Sequence, residues 1–306
     1  MKKILGIIIT ALVVASCEEV PPPINYQKST QTKDSTYIKL PAPTPQQKHV
    51  LLEDVSGVKC VNCPDAAIIA KSILTAFPGR AFTTVMHPDI PALANFVSPI
   101  TKAGHESRFD FRTKDASDIL QLIGIPGSLP SGFVNRRKFA GKQSRILGRA
   151  EWYAKCQEEL NGTTPVNIEL SNKFDESKGE GTVTIKLTYT QALNKKHYLT
   201  ILLVEDSIVD TQEYQDPVTF DVLFDNNYVH NHVLRDVVTN ATGDPLTTNP
   251  EVTLVPGRVF EKNYDYKMNV SDKIKVNAKK AHLIVFVHED TDGIDVIQVD
   301  EIGVSK

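Results

Sequence analysis

The stretch His49-Val-Leu-Leu-Glu-Asp-Val-Ser-Gly-Val-Lys-Cys-Val-Asn-Cys-Pro64 decides the architecture of the first half of this chain. His49 to Val55 is a short, largely apolar run with β character, and Ser56-Gly57 supplies a turn. Lys59-Cys60-Val61-Asn62-Cys63-Pro64 then opens a segment of helical composition, Asp65 to Ala76. Pro64 would break a helix interior but is tolerated in a first turn, where amides have no intrahelical partner. Unpaired N–H groups at the helix start, with the dipole, favour a thiolate on an exposed first cysteine, Cys60. Lys59 adds a positive neighbour, and two intervening residues bring Cys63 within disulfide reach.

Strand, tight turn and Cys-x-x-Cys at a helix start resemble the thioredoxin arrangement. Working outward, the next strand is expected at Ala81 to Met86, ending at His87-Pro88. A polar, helical insertion is expected from about residue 90 to Leu122, and a closing helix within Ser144 to Leu160. The resemblance implies a cis-proline opposite the cysteines at the start of a central strand. Pro130, leading into Ser131-Gly-Phe-Val134, is the better candidate and Pro126 the other. It also implies an acid on the preceding strand that relays protons to the second sulfur. Asp54, six residues before Cys60, has that offset, although a solvated strand end is the simpler reading of Glu53 and Asp54. His87 either approaches the same region or is merely hydrogen-bonded.

Three readings of the pair stay open. A redox-active couple uses Cys60 and Cys63 as catalytic residues, with Pro130 shaping the groove. A structural Cys60–Cys63 disulfide suits an oxidising exported compartment. Metal capture by two thiolates is the third. Structural zinc needs four ligands, and beyond Cys17 the only other cysteine is Cys156. No metal site and no cofactor are expected, and Cys156 reads as a buried helix residue without catalytic consequence.

The whole chain, 306 residues at 41% hydrophobic and 23% charged, has globular composition and is long enough for two cores. A net charge of −3 without a basic block argues against nucleic acid. Met1-Lys2-Lys3 followed by apolar Ile4 to Ser16 reads as a signal peptide, residues 1–16. It ends in Val14-Ala15-Ser16-Cys17, which looks like a lipobox with Cys17 lipidated; an ordinary secretory signal is the alternative. Residues 17–45 are poor in groups that bury and rich in Pro, Ser and Thr, and are expected to be a tether. Glu18-Glu19 resembles surface-export signals of Bacteroidetes lipoproteins. Asp34-Ser35-Thr36 and Asp206-Ser207-Ile208 match the Bacteroidetes O-glycosylation pattern, Ser35 being the favoured acceptor on the assumption of an exposed tether.

From about Thr163 the texture changes to strands: Val166 to Leu170, Gly181 to Thr190, Tyr198 to Val204, Asn227 to Val238, Arg258 to Met268 and Ala281 to Val287. Asp292-Gly293 signals a hairpin before Ile294 to Val299. The domain expectation is therefore an α/β thioredoxin-like unit over 46–161 and an all-β immunoglobulin-like sandwich over 162–306. If Asn227 to Val238 is one strand, His230 and His232 project from one face, either as two metal ligands or as a polar seam against the other domain.

Taken together, Glu53 to Pro64, Pro130-Ser-Gly-Phe-Val-Asn-Arg136 and Tyr228-Val-His-Asn-His-Val-Leu-Arg235 resemble the outer-membrane-protein-28 family of Bacteroidetes lipoproteins. The resemblance implies a thioredoxin-like domain and a β-sandwich on an outer-membrane lipid anchor, facing the periplasm or the cell surface, with no settled activity. This sequence departs from thioredoxins in lacking an aromatic residue before Cys60, in Val61-Asn62 between the cysteines, and in Pro64 directly after. The expected function is thiol–disulfide exchange on an exported protein client. The alternative is a non-enzymatic scaffold that binds a surface partner and keeps a static bridge.

Overall fold

The structure, a computed structural model, describes residues 30–271, 274–290 and 294–305. The first region contains β1 (Gln31–Ile38), β2 (Val50–Val55), α1 (Cys63–Ala76), β3 (Ala81–Met86), α2 (Ala94–Val97), α3 (Lys114–Ile123), β4 (Ser131–Val134) and α4 (Arg149–Glu159). β2 lies between parallel β3 and antiparallel β4, and every residue of it is buried. Alternation along a strand sends Val50 and Leu52 to the α1/α4 face and Leu51 and Val55 to the α3 face. By the same period Asp54 belongs to the α1 face. α3 begins where Thr113 Oγ1 accepts from Ala116 N, and it buries Ala116, Ile119, Leu120 and Ile123, one helical stripe. Gly132 lets the Trp152 indole of α4 lie on β4, since a Cβ there would fall 2.7 Å from the ring.

The second region adds β5 (Val166–Asp175), β6 (Glu180–Tyr189), β7 (His197–Glu205), β8 (Ile208–Gln215), β9 (Val222–His230), β10 (Val233–Val237), β11 (Asp244–Pro245), β12 (Arg258–Lys267), β13 (Ala281–Glu289) and β14 (Val296–Gly303). One sheet runs β1-β12-β6-β5. The facing sheet runs β14-β13-β7-β10 and continues without a break into β3-β2-β4. The protein is thus an α/β region followed by a β-rich, sandwich-like region, and the two share a sheet. β7 and β13 serve both. Leu199, Ile201, Leu203, Val285 and Val287 fill the sandwich, while Leu202, Val204, Ile284 and Phe286 pack in the core that holds α3. Burial on both faces explains why these strands read as continuous apolar runs. The core around α3 and the core inside the sandwich therefore lie back to back on these shared strands.

Four further expectations need correction. Residues 31–38 are not tether: β1 pairs along β12, and Lys33–Glu261, Tyr37–Glu261 and Asp34–Lys262 contacts of 2.8 Å line the pair. Backbone pairing and cross-strand polar contacts hold this edge, so it needs little apolar surface. Asn227 to Val238 is not one strand, because His232 takes a left-handed φ of 56° between β9 and β10. Ser35, in β1, is half-buried with its hydroxyl 3.5 Å from the Glu261 carbonyl, so it does not stand in an exposed tether. The helical insertion shrinks to α2 and α3 with a long loop between them. The leader, Cys17 and Glu18-Glu19, and the Asp292-Gly293 turn, lie outside the described residues, although β13 and β14 on either side of that turn do pair antiparallel. Among the described residues no helix is long and apolar enough to cross a membrane.

Candidate functional site

Cys60 and Cys63 are joined in a disulfide, Cα–Cα 5.3 Å, where the β2–α1 loop enters the helix. Cys63 N donates to Cys60 O at 3.0 Å, and Pro64 occupies the first turn of α1. Gly57 is required by a close approach: a Cβ would sit 2.3 Å from the Phe96 carbonyl oxygen, which itself accepts from Lys59 N.

The first cysteine is not exposed. Cys60 and Cys63 are 1% and 3% accessible. The β8–β9 hairpin, a two-stranded sheet of its own, lies on the loop that carries them. Glu213 N donates to Val58 O at 2.8 Å and Gln215 N to Val61 O at 3.3 Å. Gln212 Nε2 reaches both Gly57 O and Cys60 O at 3.2 Å. The hairpin is fixed in turn by Asp210, whose carboxylate accepts from the amides of Arg108 and Phe109, and by His105 stacked on Phe224 at 4.5 Å.

On its other side the bridge borders a cleft. Cys63 lines a cleft of about 610 Å³ between α1 and the β9–β10 segment. Asp54 lies in the same wall, 2% accessible, and its Oδ1 has no hydrogen-bond partner among the described residues. Burial pushes its carboxyl up to about 8. Tyr228, also in the cleft, is raised to about 12, mainly by burial and then by the Asp54 charge.

The remaining residues singled out from sequence fall into two groups. The Leu129–Pro130 bond is cis, and Pro130 precedes Ser131, the partner of Val55 in the register. The other cis X–Pro bond among the described residues is Leu40–Pro41, so Pro126 is not the second candidate. Glu53 is no solvated strand end. It is fully buried against Arg136, 2.7 Å away, whose guanidinium lies 4.8 Å from the Phe286 ring centroid. His87 is buried with neither ring nitrogen hydrogen-bonded among the described residues, which its lone-histidine reading did not anticipate, and burial pulls it down to about 3. His230 packs on Phe111 and Tyr228, lowered to about 4 by burial, while His232 turns instead to Asp206, 3.2 Å away. The two imidazoles therefore do not share a face, and no metal-ligand cluster exists among the described residues. Cys156 is free and buried, with its thiol pushed up to about 12.

The family model described as Outer membrane protein Omp28 matches residues 120–306. The chain belongs to the Omp28 family. Among solved structures it is similar to HBP35 of Porphyromonas gingivalis, at 18% identity and TM-score 0.60 over 86% of this chain and 77% of that one. Protein AGR_C_4864 from Agrobacterium tumefaciens matches at 14% identity and TM-score 0.47, over 86% of this chain and 97% of its own. A domain of the outer membrane lipoprotein Omp28 from Porphyromonas gingivalis matches at 18% and 0.31, over 46% and 89%. A comparison with curated proteins finds no match. Membership of the Omp28 family is consistent with an outer-membrane-associated protein, and at such identities the HBP35 likeness speaks for fold alone.

Proposed function

We propose that this Omp28-family chain is a lipid-anchored thiol–disulfide exchange protein acting on exported clients. Residues 1–16 are its leader, Cys17 its lipid attachment and residues 46–161 its thioredoxin-like unit. The observation that carries the reading is Asp54. A buried carboxyl with an unpartnered oxygen is costly, so a bridge that never opens gains nothing from one in the cleft wall it shares.

In the dithiol form, Cys60 as thiolate attacks a client disulfide. A bond forms between its Sγ and one client sulfur, and the other client sulfur leaves with the electron pair and takes up a proton. The ionised fraction of Asp54 then accepts the proton of Cys63, whose sulfur attacks Cys60 Sγ. The client is released as a dithiol and the Cys60–Cys63 bridge is restored, the state described above. With a carboxyl near pH 8 the same group serves the reverse direction by returning that proton. Pro130 borders the client groove. Because Gln212 and its strand cover Cys60, either direction requires the hairpin to lift from residues 57–61.

The burial of Cys60 favours a second reading, a scaffold with a static bridge. A single assay separates them: turnover of a disulfide-bonded reporter peptide by the mature chain supplied with dithiothreitol. Exchange predicts turnover that Cys60→Ser abolishes and Asp54→Asn slows, with the pH profile flattened near 8. A static bridge predicts no turnover, with stability lost in Cys60→Ser.

A further inference from the structure

The cleft beside Cys63 is far larger than a water serving a proton relay requires. At about 610 Å³ it falls in the size range of small-molecule sites. One wall is a single stripe of α1, with Cys63, Ala67, Lys71 and Leu74 at helical spacing. The opposite wall runs from Tyr228 to Val233, where the chain leaves β9 and joins β3 through Val233 opposite Val85. Most of this lining is apolar: Ala67, Leu74, Val85, Val229 and Val233.

Two buried polar groups line it without a partner. Among the described residues Asp54 Oδ1 and His230 Nε2 both lack a hydrogen-bond partner, and their residues are 2% and 6% accessible. Leaving either unmatched costs free energy that a ligand head group recovers. We propose that this cleft is a binding site for an uncharged amphipathic small molecule, with an aromatic or branched aliphatic body and one hydroxyl or amide head that pairs with Asp54 and His230. An ionic head would be stripped of water in an apolar cleft and is disfavoured. Burial keeps both protein groups neutral at pH 7, so neither offers the fixed counter-charge that would offset that loss. Lys71 on the same stripe is exposed, so water screens its charge.

The site does not rest on the exchange reading, and its test is run on the oxidised chain, where no turnover takes place. The mature protein is titrated with 4-methylphenol and, in parallel, with 4-methylbenzoate and 4-methylbenzylammonium, by calorimetry and ligand-observed NMR. The expected result is saturable one-to-one binding of the phenol, with the two ions at least about tenfold weaker. Ala67→Trp, which fills the cleft from α1, should abolish binding. Val229→Trp, at an exposed position on the mouth, should do the same and covers the case in which Ala67→Trp fails to fold. Absence of saturation, binding indifferent to both folded variants, or ions that bind as well as the phenol would each overturn the proposal.

Discussion

Gln212 Nε2 donates a 3.2 Å hydrogen bond to the carbonyl oxygen of Cys60, across 152 residues of sequence. The contact places a strand of the second region directly on the first cysteine of the bridge. Its strength is that of an ordinary hydrogen bond, and so it is of a size that a protein can make and break. The same amide also holds Gly57 O, so one side chain spans the loop.

Removing that amide should loosen the cover. Of the three hydrogen bonds of that amide, Gln212→Ala deletes the two that cross to the loop, worth roughly 0.5–1.5 kcal/mol each, which lowers the cost of lifting the hairpin by about 1–3 kcal/mol. The bridge in the variant should be reduced by a phosphine roughly 5- to 150-fold faster than in the parent, with global stability to denaturant lowered by no more than the same 1–3 kcal/mol. An unchanged rate would mean that the hairpin does not limit access to Cys60.

Asp54 makes a pH-dependent mark on stability. Its folded value, about 8, lies above that of the unfolded chain, so the folded state holds a proton that the unfolded state releases. Stability is therefore undiminished near pH 4, falls as pH rises toward 8, and levels off once the folded carboxyl ionises too. Asp54→Asn should be more stable than the parent by a few kcal/mol at pH 8 and nearly equal to it at pH 4, in urea unfolding. Parallel profiles for the two proteins would show that the carboxyl is not held protonated.

His87 makes the opposite mark. Burial holds its folded value near 3, so below about 6.5 the unfolded chain takes up a proton that the native one refuses. Stability from this group is complete above pH 6.5 and is lost as pH falls toward 3. His87→Phe, which keeps a ring beside Phe111, should recover about 3 kcal/mol at pH 4.5 and little at pH 7.5. Equal acid sensitivity in both proteins would remove His87 from the account.

The Glu53–Arg136 pair joins β2 to the chain after β4 at full burial. Arg136→Met alone strands a buried carboxylate and should cost about 3–5 kcal/mol. Glu53→Met/Arg136→Met together should recover most of it. A double variant as unstable as the single one, measured by denaturant midpoint, would assign the loss to the Phe286 packing instead.

How far these features could be read from sequence depends on what stabilises each. The Cys-x-x-Cys-Pro run announces α1 because proline and the cysteine spacing each restrict local geometry, and the offset of Asp54 follows from the same few residues. β7 and β13 are legible as strands from their apolar runs, but the sharing of a sheet between regions is not, since it depends on which element covers each face. β1 escapes notice because Lys33, Asp34 and Tyr37 pair with polar residues more than 200 positions away. β8 escapes for a related reason: Asp210 and Gln212 are polar yet buried, and their partners are loop amides and carbonyls about 100 to 155 residues distant. The same long-range contact hides Cys60, so a cysteine that local rules would leave exposed is covered.

Whether the Cys60–Cys63 bridge opens and closes in use is tested most directly by its reduction potential. The intact mature chain, equilibrated in dithiol buffers of graded potential and trapped by alkylation, should give a midpoint above about −300 mV. A midpoint well below about −300 mV would contradict the account and leave the bridge as a structural staple.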